Sequence, residues 1–259
     1  MLTRRSFLAL ALGGTLTALR RASAAVETRR AAYTARVGIL YGVLQFEVTG
    51  QIDETVDRDA GRYEFRLHGR GSGIENDVEG RGILRQGRWT PDRHRSRFAV
   101  YGRESSLDVT WDYERRTIAY RSRSETFFLR RIREVDDVVP MPEGVSVDDV
   151  ASATLNFADR RWTPDPAGTF STHVVRRRRG KREASDEVEA VYRAELVPFV
   201  LRVGPDLDTG RPTAAIDLTR FSSWALEGQP ARITFSVDRR PETLTASLML
   251  GTSVTVRIG

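Results

Sequence analysis

From Tyr33 onward the chain repeats a two-residue alternation of apolar and polar side chains. In Leu44-Gln45-Phe46-Glu47-Val48 the apolar residues take one parity and the polar residues the other, and Tyr63 to His68, Leu107 to Tyr113 and Ile233 to Val237 do the same. Successive side chains on a strand point to opposite faces, so this pattern predicts antiparallel strands with one dry and one wet face. Turn chemistry separates the runs at Asp59-Ala60-Gly61, Gln86-Gly87, Pro91-Asp92 and Asp238 to Pro241, at the spacing of a meander. The chain has no cysteine, so disulfides, zinc-thiolate sites and thiolate catalysis are excluded and the core alone must hold the fold. The expected fold is mainly β: a large antiparallel curved sheet, barrel-like or half-barrel.

One segment breaks the alternation. Val150, Ala153, Leu155, Phe157 and Ala158 recur at helical spacing, and Ser146 with Asp149 three positions later predicts a capping box, hence a single helix over 147–158. Pro140-Met141-Pro142-Glu143-Gly144 ahead of it and Pro164-Asp165-Pro166-Ala167-Gly168 after it read as extended connectors. The expected organisation is a leader over 1–24, an N-terminal β half over 25–138, a connector with the helix over 139–168 and a C-terminal β half over 169–259, the two halves being compatible with one continuous β domain.

The leader reads as a twin-arginine export signal. Arg4 and Arg5 precede Phe7 and Leu8, a short apolar run extends to Leu19, and the small residues Ala22-Ser23-Ala24 predict cleavage after Ala24. The run is too short to cross a bilayer core of about 30 Å as a helix. The expected product is a periplasmic protein handled by the twin-arginine export machinery, which passes already folded chains. Four of the 41 basic residues lie in the leader, leaving 37 against 35 acidic ones. That near-balance excludes the basic stripe of a nucleic-acid binder. Frequent charge within the strands, and a terminal strand Val254 to Gly259 without a closing aromatic, also weigh against an integral outer-membrane barrel.

Few constellations carry chemistry. Gly69, Gly71 and Gly73 suggest a phosphate cradle, but Ile74 stands where a dinucleotide fingerprint needs glycine, so strand bends are expected there. The paired aspartates Asp136-Asp137 and Asp148-Asp149 could supply acid–base carboxylates; neighbours on a strand diverge, and capping explains Asp148 and Asp149. No Gly-x-Ser-x-Gly elbow occurs. His68 and His173 read as outward strand residues and His94 as an exposed loop residue. The run Arg176 to Arg179 is expected to face Asp186-Glu187-Val188-Glu189 across a hairpin. Trp89, Trp111, Phe127, Phe128, Trp162 and Trp224 are either core or the lining of an apolar pocket.

The stretch from Ala32 to about Ala158 resembles an exported bacterial envelope family catalogued as domain of unknown function 3108. The likeness lies in Tyr33-Thr34-Ala35-Arg36-Val37, Gly61-Arg62-Tyr63-Glu64-Phe65, the turn at Gly71 to Gly73, Trp89-Thr90-Pro91, Val109-Thr110-Trp111-Asp112 and Asp149-Val150-Ala151-Ser152. The resemblance implies a predominantly β exported protein and carries over no catalytic residue. The functional expectation is a soluble binding or carrier module for a lipid, another apolar envelope molecule or a protein partner, with no cofactor and no metal. Its alternative is a glycan hydrolase working through carboxylates at Asp112, Asp136 or Asp148.

Overall fold

The computed structural model describes residues 26–125, 132–178, 193–206, 208–222 and 224–259. Eight strands come first: β1 (Glu27–Ile39), β2 (Leu44–Asp57), β3 (Arg62–Gly71), β4 (Ile74–Arg85), β5 (Arg88–Val100), β6 (Arg103–Asp112), β7 (Thr117–Glu125) and β8 (Ile132–Pro140). A helix, α1 (Val150–Ala158), precedes β9 (Thr169–Arg177), β10 (Ala194–Pro205), β11 (Pro212–Ile216), β12 (Ala231–Phe235), β13 (Pro241–Leu248) and β14 (Thr252–Ile258). All fourteen strands belong to one antiparallel sheet, ordered β8 back to β1 and then β14 back to β9. Strands of both predicted halves are thus continuous through the β1–β14 pair, where Tyr33 opposes Ile258 and Val37 opposes Val254.

The sheet curls until its two edge strands approach each other, giving a nearly closed barrel. The residues between β8 and α1 bridge the gap: Val147 pairs in parallel with His173 of β9, whose N–H donates to the Ser146 carbonyl at 2.9 Å. Ser146 therefore spends its carbonyl on the seam and is not the helix cap. Across the same seam Asp137 of β8 accepts from the Ala194 N–H at 2.9 Å and from Arg193 at 3.3 Å. The Ala194 hydrogen bond, foremost, holds the Asp137 carboxyl below the usual carboxylate range. A lowered carboxylate stabilises the fold above its unfolded value, and that contribution disappears as pH falls through the folded value. Asp137→Ala is expected to cost about 1–3 kcal/mol by stranding a buried donor. Hydrogen exchange should show the loss first at the Ala194 amide, and acidification should open the same seam in the wild type.

Alternation sorts the two faces. Outside, one row crosses eight strands in register with strictly alternating charge: Arg30, Asp53, Arg66, Glu79, Arg95, Asp108, Arg121 and Asp136. Each exposed pair contributes at most about 1 kcal/mol, but a one-residue slip would move every charge of a strand into the interior, so the row fixes register. Inside, the glycine-rich stretches make room for rings. Any side chain at Gly50 or Gly69 would collide with Tyr33, whose ring lies across both. Pro91 and Asp92 do not form the expected turn; they sit within β5, where the register with β4 shifts at a bulge.

α1 lies inside the barrel. Its N-cap is Asp149, which accepts from the Ser152 N–H at 2.7 Å, while the Ser152 hydroxyl accepts from the Asp149 N–H at 3.0 Å. Gly80 of β4 lets the helix start come close: a Cβ there would fall 3.2 Å from Asp149 Oδ2. At its other end Asp159 pairs with Arg58 at 2.9 Å, in the turn after β2. The helix thus runs from the middle of the barrel to one end and closes that end.

Candidate functional site

The helix divides the interior. Ala151, Ser152, Leu155 and Asn156 are buried against the β2–β5 wall, where Ala151 and Leu155 join Val56, Tyr63 and Trp89 in one core cluster. β5 extends beyond its partner β6 at Arg88 to Asp92, and Asn156 takes the missing strand's place. Its Oδ1 accepts from the Trp89 N–H and its Nδ2 donates to the Trp89 carbonyl, each at 2.8 Å. Asp148 is buried just ahead of the cap. It pairs with Arg88 and accepts from Thr172 at 2.6 Å, Ser152 at 3.1 Å and Asn156 at 3.2 Å. Burial pushes its carboxyl up from the usual range, and the Arg88 charge opposes that rise.

The opposite side of α1 faces an open space. Val150, Ala153, Thr154 and Phe157 form one wall of a cavity of about 470 Å³, a volume within the roughly 300–1,000 Å³ usual for ligand pockets. β1 to β4 supply Ala31, Ile52, Phe65, Leu67 and Val78; β9 to β14 supply Val174, Phe199, Leu201, Ile233, Phe235, Leu244, Val256 and Ile258. Polar groups are few: Asp149 and Thr154 on the helix, and a group formed by Arg29, Glu54, Arg240 and Thr243 on the strands. Glu54 and Arg240, both buried, make two hydrogen bonds of 2.9 and 2.8 Å. Burial raises the Glu54 carboxyl above its usual range against the pull of Arg240, with Arg29 opposing more weakly. Arg29 stands directly opposite Glu54 in register and also lines the cavity.

Phe157 and Trp162 close one end of the cavity, packed with Phe170 and Phe235. The cavity reaches solvent at two places: over the helix N-terminus, where Val150 lines it yet is 59% exposed, and beside the exposed Arg29 at the start of β1. Among the described residues no group of three or more His, Asp or Glu side chains is arranged to hold a metal ion.

The predicted site residues fall in several places. Trp162 lines the cavity. Trp89 is wholly buried, with its ring edge-on to Tyr63 and its Nε1 donating to Asp159 at 2.8 Å, and Trp111 is buried in the cluster at the seam. Trp224 is partly exposed in the β11–β12 loop. None of these three belongs to the lining. Phe127 and Phe128 lie outside the described residues, as do Arg4, Arg5, Phe7, Leu8, Ala22 and Ala24 of the leader.

The three aspartates do not converge: Asp112 accepts the N–H groups of Glu114 and Arg115, Asp136 pairs with Arg121 on the outer row, and Asp148 is buried beside Arg88. No two of them share a partner. His94 is no exposed loop residue. It lies in β5, largely buried, with Nδ1 3.3 Å from Asp149 Oδ2. Arg176 and Arg178 pair with Glu195 of β10 at 2.6 and 3.4 Å; their expected acidic partners at 186–189 lie outside the described residues.

Five rings of the cavity, Phe65, Phe157, Phe199, Phe221 and Phe235, are not among the lining candidates that the sequence suggests. Phe65 and Phe235 carry the inward parity of strands that the alternation identifies, which is the signal that would have found them.

No family model matches the chain, and no curated protein matches it. Among solved structures, a crystal structure of a β-barrel-like protein of domain of unknown function DUF1849 from Brucella abortus is similar, with 11% identity and a TM-score of 0.42 over 90% of this chain and 96% of that one.

Proposed function

We propose that this protein is an exported, soluble carrier that holds a long-chain amphiphile with one acidic head in the cavity beside α1. The observation that carries the reading is the contrast between the two faces of the sheet: apolar side chains surround about 470 Å³ inside, while charged rows cover the outside of the same strands. Apolar surface of that extent, left facing an accessible space, gains free energy by burying an apolar guest at roughly 25 cal/mol per Å². Arg29 supplies a cation at the polar end, since Arg240 is already committed to Glu54 through both nitrogens. The charged exterior supports a protein that stays in water, because a barrel spanning a bilayer turns its apolar face outward. The leader supports export.

Titration of the protein with a fluorescent sixteen-carbon carboxylate tests the reading. Saturable binding of one probe per chain is expected, weakened about five- to tenfold in Arg29→Gln through loss of one partly exposed charge-assisted contact. A neutral alcohol of equal length should bind the two proteins alike. Failure of either probe to bind, together with full occupancy of the cavity by water, would remove the carrier reading.

A further inference from the structure

Because consecutive strands reverse direction, the described turns following odd-numbered strands lie at one end of the barrel and those following even-numbered strands at the other. The two ends differ in chemistry. At the even end the turns carry Arg58 and Asp59, Gln86, Glu114 to Arg116, Asp206, Asp208 and Arg211, and Asp238 to Arg240, with Val237 and, just ahead of β1, Val26 as exposed exceptions. At the odd end they present Tyr41 (92% exposed), Val43 (79%), Leu250 (63%) and Tyr101 (61%), with Leu40, Leu44, Met249 and Trp224 also exposed, and charge among the described turns is concentrated in the β11–β12 loop at Asp217, Arg220 and Glu227. These tips are connected. The Tyr41 ring lies over Gly251, the Tyr41 N–H donates to the Gly251 carbonyl at 3.0 Å, and the Met249 N–H donates to the Trp224 carbonyl at 2.7 Å.

The backbone makes this choice of residues informative. Leu40, Tyr41, Tyr101 and Leu250 have φ of 52, 57, 48 and 56°, in the left-handed region where glycine or asparagine is the unstrained choice. Bulky apolar side chains kept at strained, solvent-facing positions point to a function there rather than to folding.

The cavity mouth over the helix N-terminus faces this same end. α1 starts at mid-barrel beside Gly80 and ends against Arg58 in an even-end turn, so the exposed Val150 and the cavity mouth face the odd end.

Resting on the carrier reading, we infer that the Tyr41–Leu250 rim docks on the surface of a lipid bilayer, where the cavity exchanges its amphiphile. The joined tips of the β1–β2 and β13–β14 hairpins make a narrow apolar rim that stands beyond the charged wall, which suits insertion among lipids better than a flat protein face. Tyrosine and tryptophan favour the headgroup level. The first charged pair behind the β1–β2 tip, Arg36 with Glu47, lies four residues from Leu40, about 13 Å along a strand. That distance lets the tips reach the roughly 5–10 Å depth of interfacial insertion before the charges meet the headgroups.

The absence of cysteine permits a direct test in the full chain. A single cysteine is placed by Leu250→Cys or, at the opposite end, by Val237→Cys, and labelled with a polarity-sensitive dye. Vesicles of phosphatidylethanolamine and phosphatidylglycerol are expected to shift the dye to the blue at position 250 and leave it unchanged at 237. β1 begins at the Val237 end, so a contact made by the residues ahead of it would register at 237. In parallel, Tyr41→Ser with Leu250→Ser should slow uptake of the carboxylate probe from vesicles by about tenfold or more while binding from free solution is unchanged.

No shift at 250, an equal shift at 237, or a concentration-dependent shift at 250 without vesicles, which would mark self-association, each overturns the docking. A shift at 250 in a protein that binds no probe from solution keeps the docking and removes the carrier reading instead.

Discussion

Arg88→Met is expected to destabilise the protein by about 3–5 kcal/mol, the usual cost of leaving a buried charge without its partner. Asp148 then retains only neutral donors, Thr172, Ser152 and Asn156, inside a site where burial already raises its pKa. The pH dependence follows from the direction of that shift. A carboxyl raised in the folded state binds more protons folded than unfolded, so stability falls as pH climbs from its unfolded value, near 3.9, through the folded one. Removing Arg88, the strongest opposing charge, extends that window upward. The deficit measured by denaturant unfolding should therefore be smallest near pH 4 and largest at neutral pH. Adding Asp148→Asn to Arg88→Met should recover most of the loss, since the amide needs no counter-charge. A deficit that is independent of pH would mean that Arg88 acts through packing over the Trp162 ring, 5.4 Å from its guanidinium, and not through Asp148.

The strands were legible because period-two alternation is a local property. Tyr63 to His68 and Ile233 to Phe235 reveal their faces without reference to anything distant, and a cysteine-free chain had to bury those faces. The single helix is legible for the same reason, although the spacing points to Ser146 as its cap, because spacing alone does not distinguish a side chain that caps from a carbonyl that pairs with β9. What stayed hidden was everything set by register. The eight-residue charge row exists only once eight strands are aligned; in the sequence its arginines are scattered and look like a compositional bias.

Gly69, with Gly71 and Gly73, resembles a phosphate cradle in the sequence because the Tyr33 ring that occupies the space over Gly69 comes from 36 residues away. His94 read as a loop residue for a related cause: a bulge at Pro91 and Asp92 mimics a turn. The cavity was the least accessible feature, since tryptophan size drew attention to Trp89 and Trp111, which fill the core, while smaller phenylalanines on inward parities line the open space.

Ala153→Trp is expected to abolish binding of the carboxylate probe, with at least a hundredfold loss of affinity, and to leave the fold intact. Ala153 lies on the cavity side of α1, between Val150 and Phe157; it is partly buried at the margin of the Phe157, Trp162 and Phe170 cluster and is not part of the β2–β5 wall. An indole at this point enters unoccupied space and does not displace core, so the overpacking cost of about 1–3 kcal/mol for a filled interior does not apply. The remaining penalty is helix propensity, a few tenths of a kcal/mol. Burial of the ring against Phe65 and Leu67 offsets it at roughly 25 cal/mol per Å², and unfolding should occur at or above the wild-type midpoint. A stable variant that has lost the probe places binding in the cavity. A stable variant that still binds with wild-type affinity would place the amphiphile on the outer surface, and a destabilised one would mean that the helix wall is already full. The three outcomes separate because the Ala153 side chain is only a methyl group and the hydrogen bond from its N–H to the Asp149 carbonyl is a backbone bond that the substitution keeps, so the replacement alters the volume of the cavity without touching what holds the barrel closed.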